Sequence, residues 1–427
     1  MPSRNRARTT IGAGILALLC TITGSAPVFM VTAQAPNLYS DIGITASDLG
    51  IAVSSFFLAA SVGSVIAGRL SRRLGPAQAG GVGAVLSTAS CLVIVGMVQG
   101  VVSLCGALAL AGLGNAFSQI SANMRLVGFI SASRLGVAFG VKQSATPLAV
   151  LVGGVALSGS SAQGDWRSWF IYLAAFTLAL GIYVVVSGDS RSDHAGAKVE
   201  RTAGSNAARV YVPYMVLFMV CLTLVGAISN SLASFLPSWA VSVGISTQSA
   251  GVLLAVCSFS AASMRVLSGA LTQRIGKYAL YVMAGMSFIG AGGLFLLSIP
   301  TTRSVVVGAL IAFAIGWAWP GLALFFATVM HASRPGEATG AVQAGTFAGA
   351  ALGPGLFGTV VEAYSFEMAW SIGAGVGLVA AATMCVAQWL ARRSTKDERA
   401  PVSSGSYERC DAAIAQANAP DTELPRL

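Results

Sequence analysis

The chain has 427 residues, 55% of them apolar and only 9% charged, with a formal net charge of +10. No water-soluble shell can hide so large an apolar share, which excludes an ordinary soluble domain and points to an integral membrane protein. The positive charge would suggest a nucleic-acid partner in a soluble chain. In a membrane protein Lys and Arg gather in cytoplasmic loops for topological reasons, so the lipid bilayer is expected as partner and nucleic acid is not.

A basic start at Arg4, Arg6 and Arg8 leads into an apolar run over 11–36. It resembles a signal peptide, but its length and its counterpart in the second half make it a retained first helix. Further runs long enough to cross a hydrocarbon layer follow at 48–70, 77–98, 101–126, 136–158 and 168–187, and then at 211–236, 249–271, 278–299, 304–330, 338–361 and 368–391. Runs this long and non-alternating exclude a barrel. The expected fold is an all-α membrane protein with twelve transmembrane helices in two pseudo-symmetric six-helix bundles. Residues 1–187 form the first bundle, 188–210 a polar linker, 211–391 the second bundle and 392–427 a disordered tail.

Of the 25 Lys and Arg residues, 20 fall on one side of these helices; Arg167 and Arg303 fall on the other, and Arg125, Lys142 and Arg265 lie inside helices. Both termini are therefore expected in the cytoplasm, with the protein in the plasma (inner) membrane. Trp166, Trp169, Trp239 and Trp370 sit near outer helix ends, and Trp389 near an inner one, as interfacial aromatics do. The seven cysteines show no paired spacing and six lie in apolar runs, so neither a disulfide framework nor a metal site is expected. His194 and His331 lie outside the hydrocarbon or at its edge and make no metal site.

The chain is one half written twice. GRLSRRLG at 68–75 recurs as GALTQRIG at 269–276, and residues 20–75 overlie 221–276 at a constant offset of 201 without a gap. A second pairing, at an offset of 200, overlies 132–153 on 332–353 and matches Gln143 with Gln343 and Thr146 with Thr346.

In these two octapeptides the chain resembles the major facilitator superfamily, whose loop between helices 2 and 3 reads roughly G-x-L-a-D-R-x-G-R-K and recurs between helices 8 and 9. Gly68, Leu70, Arg73 and Gly75 match, as do Gly269, Leu271, Arg274 and Gly276, whereas the Asp position is Arg72 in one copy and Gln273 in the other. The glycines are expected to allow close helix approach and a tight turn. The resemblance implies two bundles rocking about a central site, giving alternating access. Proton-driven drug exporters of the family carry an Arg early in helix 4 and a G-P-x-x-G-G turn in helix 5. Neither is present, which points away from export, although helix 11 has the Gly353-Pro354 pair common in the family.

None of the 15 Asp and Glu residues lies deep in a predicted helix, while three cations do. A charge at the bilayer centre costs at least about 2.5–3.5 kcal/mol, so an un-neutralised cation faces a wet cavity or a partner. An anionic small-molecule substrate is the natural partner here. Arg265, four residues before Gly269, is similar to the substrate Arg of monocarboxylate and oxalate carriers of the superfamily, and a guanidinium grips a carboxylate with two parallel hydrogen bonds. Its alternative is to snorkel to the surface. Lys142, one turn before Thr146 on the same helical face, has the same two choices. Arg125 is either an interfacial anchor or a cavity residue. Asn115 and Gln119 line a cavity or bond between helices, and Gln34 and Asn230 allow either reading. The repeat-equivalent Gln143 and Gln343 are read as structural. Trp317 and Trp319, beside Pro320, wall a pocket or fill a core. With no Walker loop, nucleophile, base or metal cluster, neither an enzyme nor a cofactor is expected. The reading is a monomeric secondary transporter of a small organic anion, by symport with H⁺ or Na⁺, the proton riding on the substrate or on a helix-end acid such as Asp48 or Glu362. The alternative is a proton-coupled exporter of hydrophobic drugs or metabolites.

Overall fold

The computed structural model describes residues 2–129, 140–163, 165–187, 213–330 and 335–397. The linker, most of the tail, His194, His331 and the side chains of Arg72 and Arg274 lie outside the described residues. Among the described residues, twelve helices are long and apolar enough to cross a membrane: α1 (Gly12–Ala33), α2 (Ala46–Ser71), α3 (Arg73–Met97), α4 (Val101–Leu126), α5 (Gly140–Ser160), α6 (Arg167–Val186), α7 (Met215–Ser242), α8 (Thr247–Leu271), α9 (Ala279–Leu297), α10 (Thr302–Ala327), α11 (Gly340–Ala363) and α12 (Phe366–Leu390). The backbone of α12 continues as helix to Asp397, past the expected start of the tail.

The written repeat is also a repeat of backbone geometry. Left-handed glycines occur at Gly43 (φ 66°), Gly75 (φ 73°), Gly244 (φ 92°) and Gly276 (φ 48°), two pairs at the offset of 201. Gly43 and Gly244 precede α2 and α8; Gly75 and Gly276 make the turns into α3 and α9, a conformation in which a Cβ would be strained. Helix starts match as well. Thr45 Oγ1 accepts the Asp48 N–H at 3.2 Å while Asp48 accepts that of Thr45 at 2.9 Å, and Ser246 Oγ accepts the Ser249 N–H at 3.2 Å. Gly68 does not behave as expected, since a Cβ there would meet only Ile120 Cδ1 at 3.9 Å, whereas a Cβ on Gly269 would lie 3.5 Å from Gly140 Cα, α8 backbone beside α5 backbone.

Within the first bundle α1 packs on α4 and α5, α2 and α3 on α4, and α3 on α6; within the second α7 packs on α11 and α12, and α9 on α10 and α12. The bundles meet along α2 against α11 and α5 against α8. Helices in lipid gain no hydrophobic drive from pairing, so small residues that let backbones touch supply the contact. A Cβ on Gly50 would lie 2.3 Å from Pro354 O, and one on Gly154 2.7 Å from both Gly251 O and Ala255 N. Beyond them Glu362 Oε2 of α11 accepts the Thr45 hydroxyl at 2.8 Å and the Ser47 N–H at 3.3 Å, capping α2 from the other bundle. All these contacts lie at the helix ends remote from Gly75 and Gly276, so the bundles are shut against each other there.

At that same end a short helix, Ala35–Ile42, is tied down by Asp41, whose carboxylate takes hydrogen bonds from Arg167 and from Trp166 Nε1 at 3.1 Å. Those donors, Arg167 first, hold its carboxyl below the usual range. The expected aromatic belt is mostly interior packing. Trp239 and Trp370 are buried, their rings 5.3 Å from Phe366 and 4.6 Å from Phe357, while Trp389 is exposed.

Gly154→Ala is therefore expected to lower stability by about 1–3 kcal/mol through overpacking of backbone on backbone. Gly285→Ala in α9, where a Cβ meets nothing within 4 Å, is expected to be neutral or slightly stabilising. Thermal unfolding of the two purified proteins checks the pair, and equal melting temperatures would refute the close contact of α5 with α8.

Candidate functional site between the bundles

Two prolines open the backbone at the centre of the molecule. Helix α10 runs regularly over Thr302–Ile311, widens to a π turn over Ala312–Gly316, opens at Trp317, Ala318 and Trp319, and restarts at Pro320. Proline has no N–H to donate and its ring drives the preceding residue out of the helical region, so the break falls where Pro320 puts it. Two carbonyls exposed by the break are satisfied from α8: Trp317 O by Arg265 Nε at 3.0 Å, and Ala318 O by Ser268 Oγ at 3.1 Å. In α5 Pro147 cannot bond to the carbonyl of Gln143, four residues earlier. Arg265 Nη1 donates to that oxygen at 2.7 Å. Freed backbone groups in a membrane are tolerated only when neighbours take them up, and Arg265 does this in both bundles at once. Its guanidinium also lies 4.7 Å from the centre of the Trp317 ring. At 3% exposure Arg265 does not snorkel to the surface.

Around Arg265 the bundles enclose a cavity of about 80 Å³. The first bundle lines it with Phe57 of α2, Gln119 of α4, and Gln143 and Thr146 of α5. The second contributes Asn230 of α7, Trp317 and Trp319 of α10, and Val342, Gln343, Thr346 and Phe347 of α11. Discontinuous helices at the repeat interface are where transporters of this build bind their cargo. A larger, almost wholly apolar groove of about 510 Å³ runs between α3 and α6. It offers no converging polar groups and lies within one bundle, so the central cavity is the better candidate.

The structure places Arg265, Gln119, Asn230, Trp317 and Trp319 in this wall, and it separates the other sequence candidates from it. Lys142 is buried, and its Nζ donates to Asn123 Oδ1 at 2.6 Å rather than joining Thr146 in the lining. The turn at Ser144 interrupts the helix between them, so spacing along an ideal helix misplaces the amine. Arg125 is wholly buried next to Cys20 and is no interfacial anchor. Asn115 Oδ1 accepts the Ser25 hydroxyl at 3.2 Å, bonding α4 to α1. Gln34 Oε1 accepts from Asn37 Nδ2 at 2.6 Å and from Ser160 Oγ at 3.1 Å, away from the cavity. The Trp319 indole donates to Ser229 Oγ at 3.3 Å, and Asn230 Nδ2 to Gly226 O at 2.8 Å.

Sequence reasoning missed Phe57, Phe347 and Ser268, and it read Gln143 and Gln343 as structural although both line the cavity with Thr146 and Thr346. A signal was available, since polar residues paired by the repeat and lying along α5 and α11 face the axis that relates the halves. Arg265 breaks that symmetry, because the residue at the offset of 201 is Ser64. Arg265→Ala leaves the carbonyls of Gln143 and Trp317 without their donor, at about 1–3 kcal/mol for each buried group. A clear fall in melting temperature is expected, with partial recovery in Arg265→Lys, and an unchanged value for Arg265→Ala would refute the bridge.

The family model described as Major Facilitator Superfamily matches residues 14–337. Over 336 residues the chain is 25% identical to a chloramphenicol resistance protein of Streptomyces lividans, covering 75% of this chain and 83% of that one. Among solved structures, a D-xylose-proton symporter superposes with a TM-score of 0.72 at 16% identity, covering 88% of this chain and 97% of its own. The nucleoside transporter NupG gives 0.67 at 14%, covering 89% and 98%. At such identities the structures speak for the fold alone, while the family match spans more than half of the sequence. The chain belongs to the major facilitator superfamily and is a membrane transporter, not an enzyme.

Proposed function

We propose that the protein carries a small organic anion, a carboxylate, across the plasma membrane by alternating access, in symport with H⁺ or Na⁺. The observation that supports this is Arg265: it is the one charged side chain among the described lining residues, and its hydrogen-bond partners are carbonyls. Carbonyl dipoles hold a cation in place without cancelling its charge, and none of the described lining residues is acidic. A carboxylate bound to the guanidinium cancels it, and a neutral centre reorients at lower cost than a charged one.

The same bond bears on gating. Arg265 of α8 holds Gln143 of α5, so separating these helices on the side of Gly75 and Gly276 breaks it. With both termini in the cytoplasm, as the distribution of Lys and Arg supports, that side faces the cell interior and the end sealed by Glu362 faces out.

A second reading, export of a neutral aromatic compound, is favoured by the relative from Streptomyces lividans and by the ring-rich wall. Uptake of labelled carboxylates into proteoliposomes separates the two. Arg265→Ala is expected to lose uptake by roughly tenfold or more, the value of one charge-assisted hydrogen bond or better. Arg265→Lys should lose most of it, because a point charge cannot make the paired contact. Unimpaired uptake in both variants removes the anion reading, and raised chloramphenicol resistance in overproducing cells would support the exporter.

A further inference from the structure

Which anion the cavity suits can be read from its charge, its walls and its size. Arg265 contributes a single positive charge, and the second cation that the sequence offered, Lys142, is turned to Asn123 and is absent from the described lining. One cation cancels one carboxylate, and a dianion would bring an unpaired negative charge into a site of low dielectric. Of the five N–H groups of the guanidinium, one on Nε and one on Nη1 are committed to Trp317 O and Gln143 O. The three that remain suffice for one paired carboxylate contact and no more.

Aromatic rings enter the wall from both sides. Phe57 stands in the first bundle, and Trp317, Trp319 and Phe347 stand in the second. Rings facing a gap favour a planar ring between them, in offset or edge-on contact, over an aliphatic group of equal size. A cavity of about 80 Å³ is well below the roughly 300–1,000 Å³ of pockets that hold drug-sized ligands, so this site suits a small one.

We infer that the site takes a monocarboxylate borne on a single aromatic ring, an inference that rests on the anion reading above and narrows it. Asn230, Gln343 and Thr346 in the same wall supply neutral hydrogen-bonding groups for ring substituents.

The test is binding to the purified full-length protein, by thermal-shift titration with benzoate, cyclohexanecarboxylate, acetate, phthalate and benzamide as probes. Benzoate is expected to bind about tenfold tighter than acetate, phthalate or benzamide, and several-fold tighter than cyclohexanecarboxylate. Phe347→Leu, which keeps bulk but removes a ring, should erase the margin over cyclohexanecarboxylate while keeping the margin over benzamide. Acetate or cyclohexanecarboxylate binding as tightly as benzoate overturns the aromatic inference and leaves the anion reading standing. Phthalate binding equally well overturns the single charge. Benzamide matching benzoate removes the anion reading and this inference with it, and no shift with any of the five probes overturns the proposal outright.

Discussion

The centre of this carrier depends on backbone carbonyls that prolines have set loose in a place with little water to receive them. Pro147 leaves the oxygen of Gln143 without its helical donor, and the break before Pro320 exposes those of Trp317 and Ala318. An unpaired backbone group in hydrocarbon costs several kcal/mol, so such breaks persist only beside donors of the right reach. Helix α8 supplies both donors on one face, Arg265 and, one turn on, Ser268. The long side chain does what a hydroxyl cannot, since it crosses from its own bundle to the other.

Much of the fold was legible because its signals are coarse and repeated. Apolar runs of about twenty residues can only be spanning helices, and the offset of 201 brought together the glycines that prove to have positive φ. The interior of the site was less legible. An ideal helix puts Lys142 and Thr146 on one face, but the turn at Ser144 parts them, and Asn123, distant in sequence, takes the amine. Arg125, Trp239 and Trp370 were misread for a related reason. Proximity to an end in sequence does not tell whether a side chain faces lipid headgroups or the neighbouring helix, and in Arg125, Trp239 and Trp370 it is the neighbour. Gln119, Asn230 and Arg265 were found because a polar residue deep in an apolar run needs a reason to be there.

The two ends of the molecule are held by contacts of different kind. At the end of Glu362, glycines bring backbone onto backbone and a carboxylate caps the opposing helix, so closure there needs no cargo. Toward the other end the crossing of α5 over α8 includes Arg265, a group that also lines the cavity. Occupation of the cavity can therefore act directly on the second contact, while the first responds only through movement of whole bundles. Alternating access requires this kind of asymmetry, because a cargo that loosened both ends together would open a leak.

The departure of Arg265 from the repeat follows from the same logic. Two halves written from one template give a cavity of matched walls, as Gln143 with Thr146 and Gln343 with Thr346 still show. Matched neutral walls hold a molecule without orienting it. A single cation on one side, where the other half has Ser64, gives the cavity a positive pole, and a ligand with one charged end then has one way to lie. Had both halves kept an arginine, two unneutralised guanidinium groups would repel across the site and the empty carrier would bear the cost of both. The desolvation of the one that is present is offset in part by the carbonyls that the prolines provide.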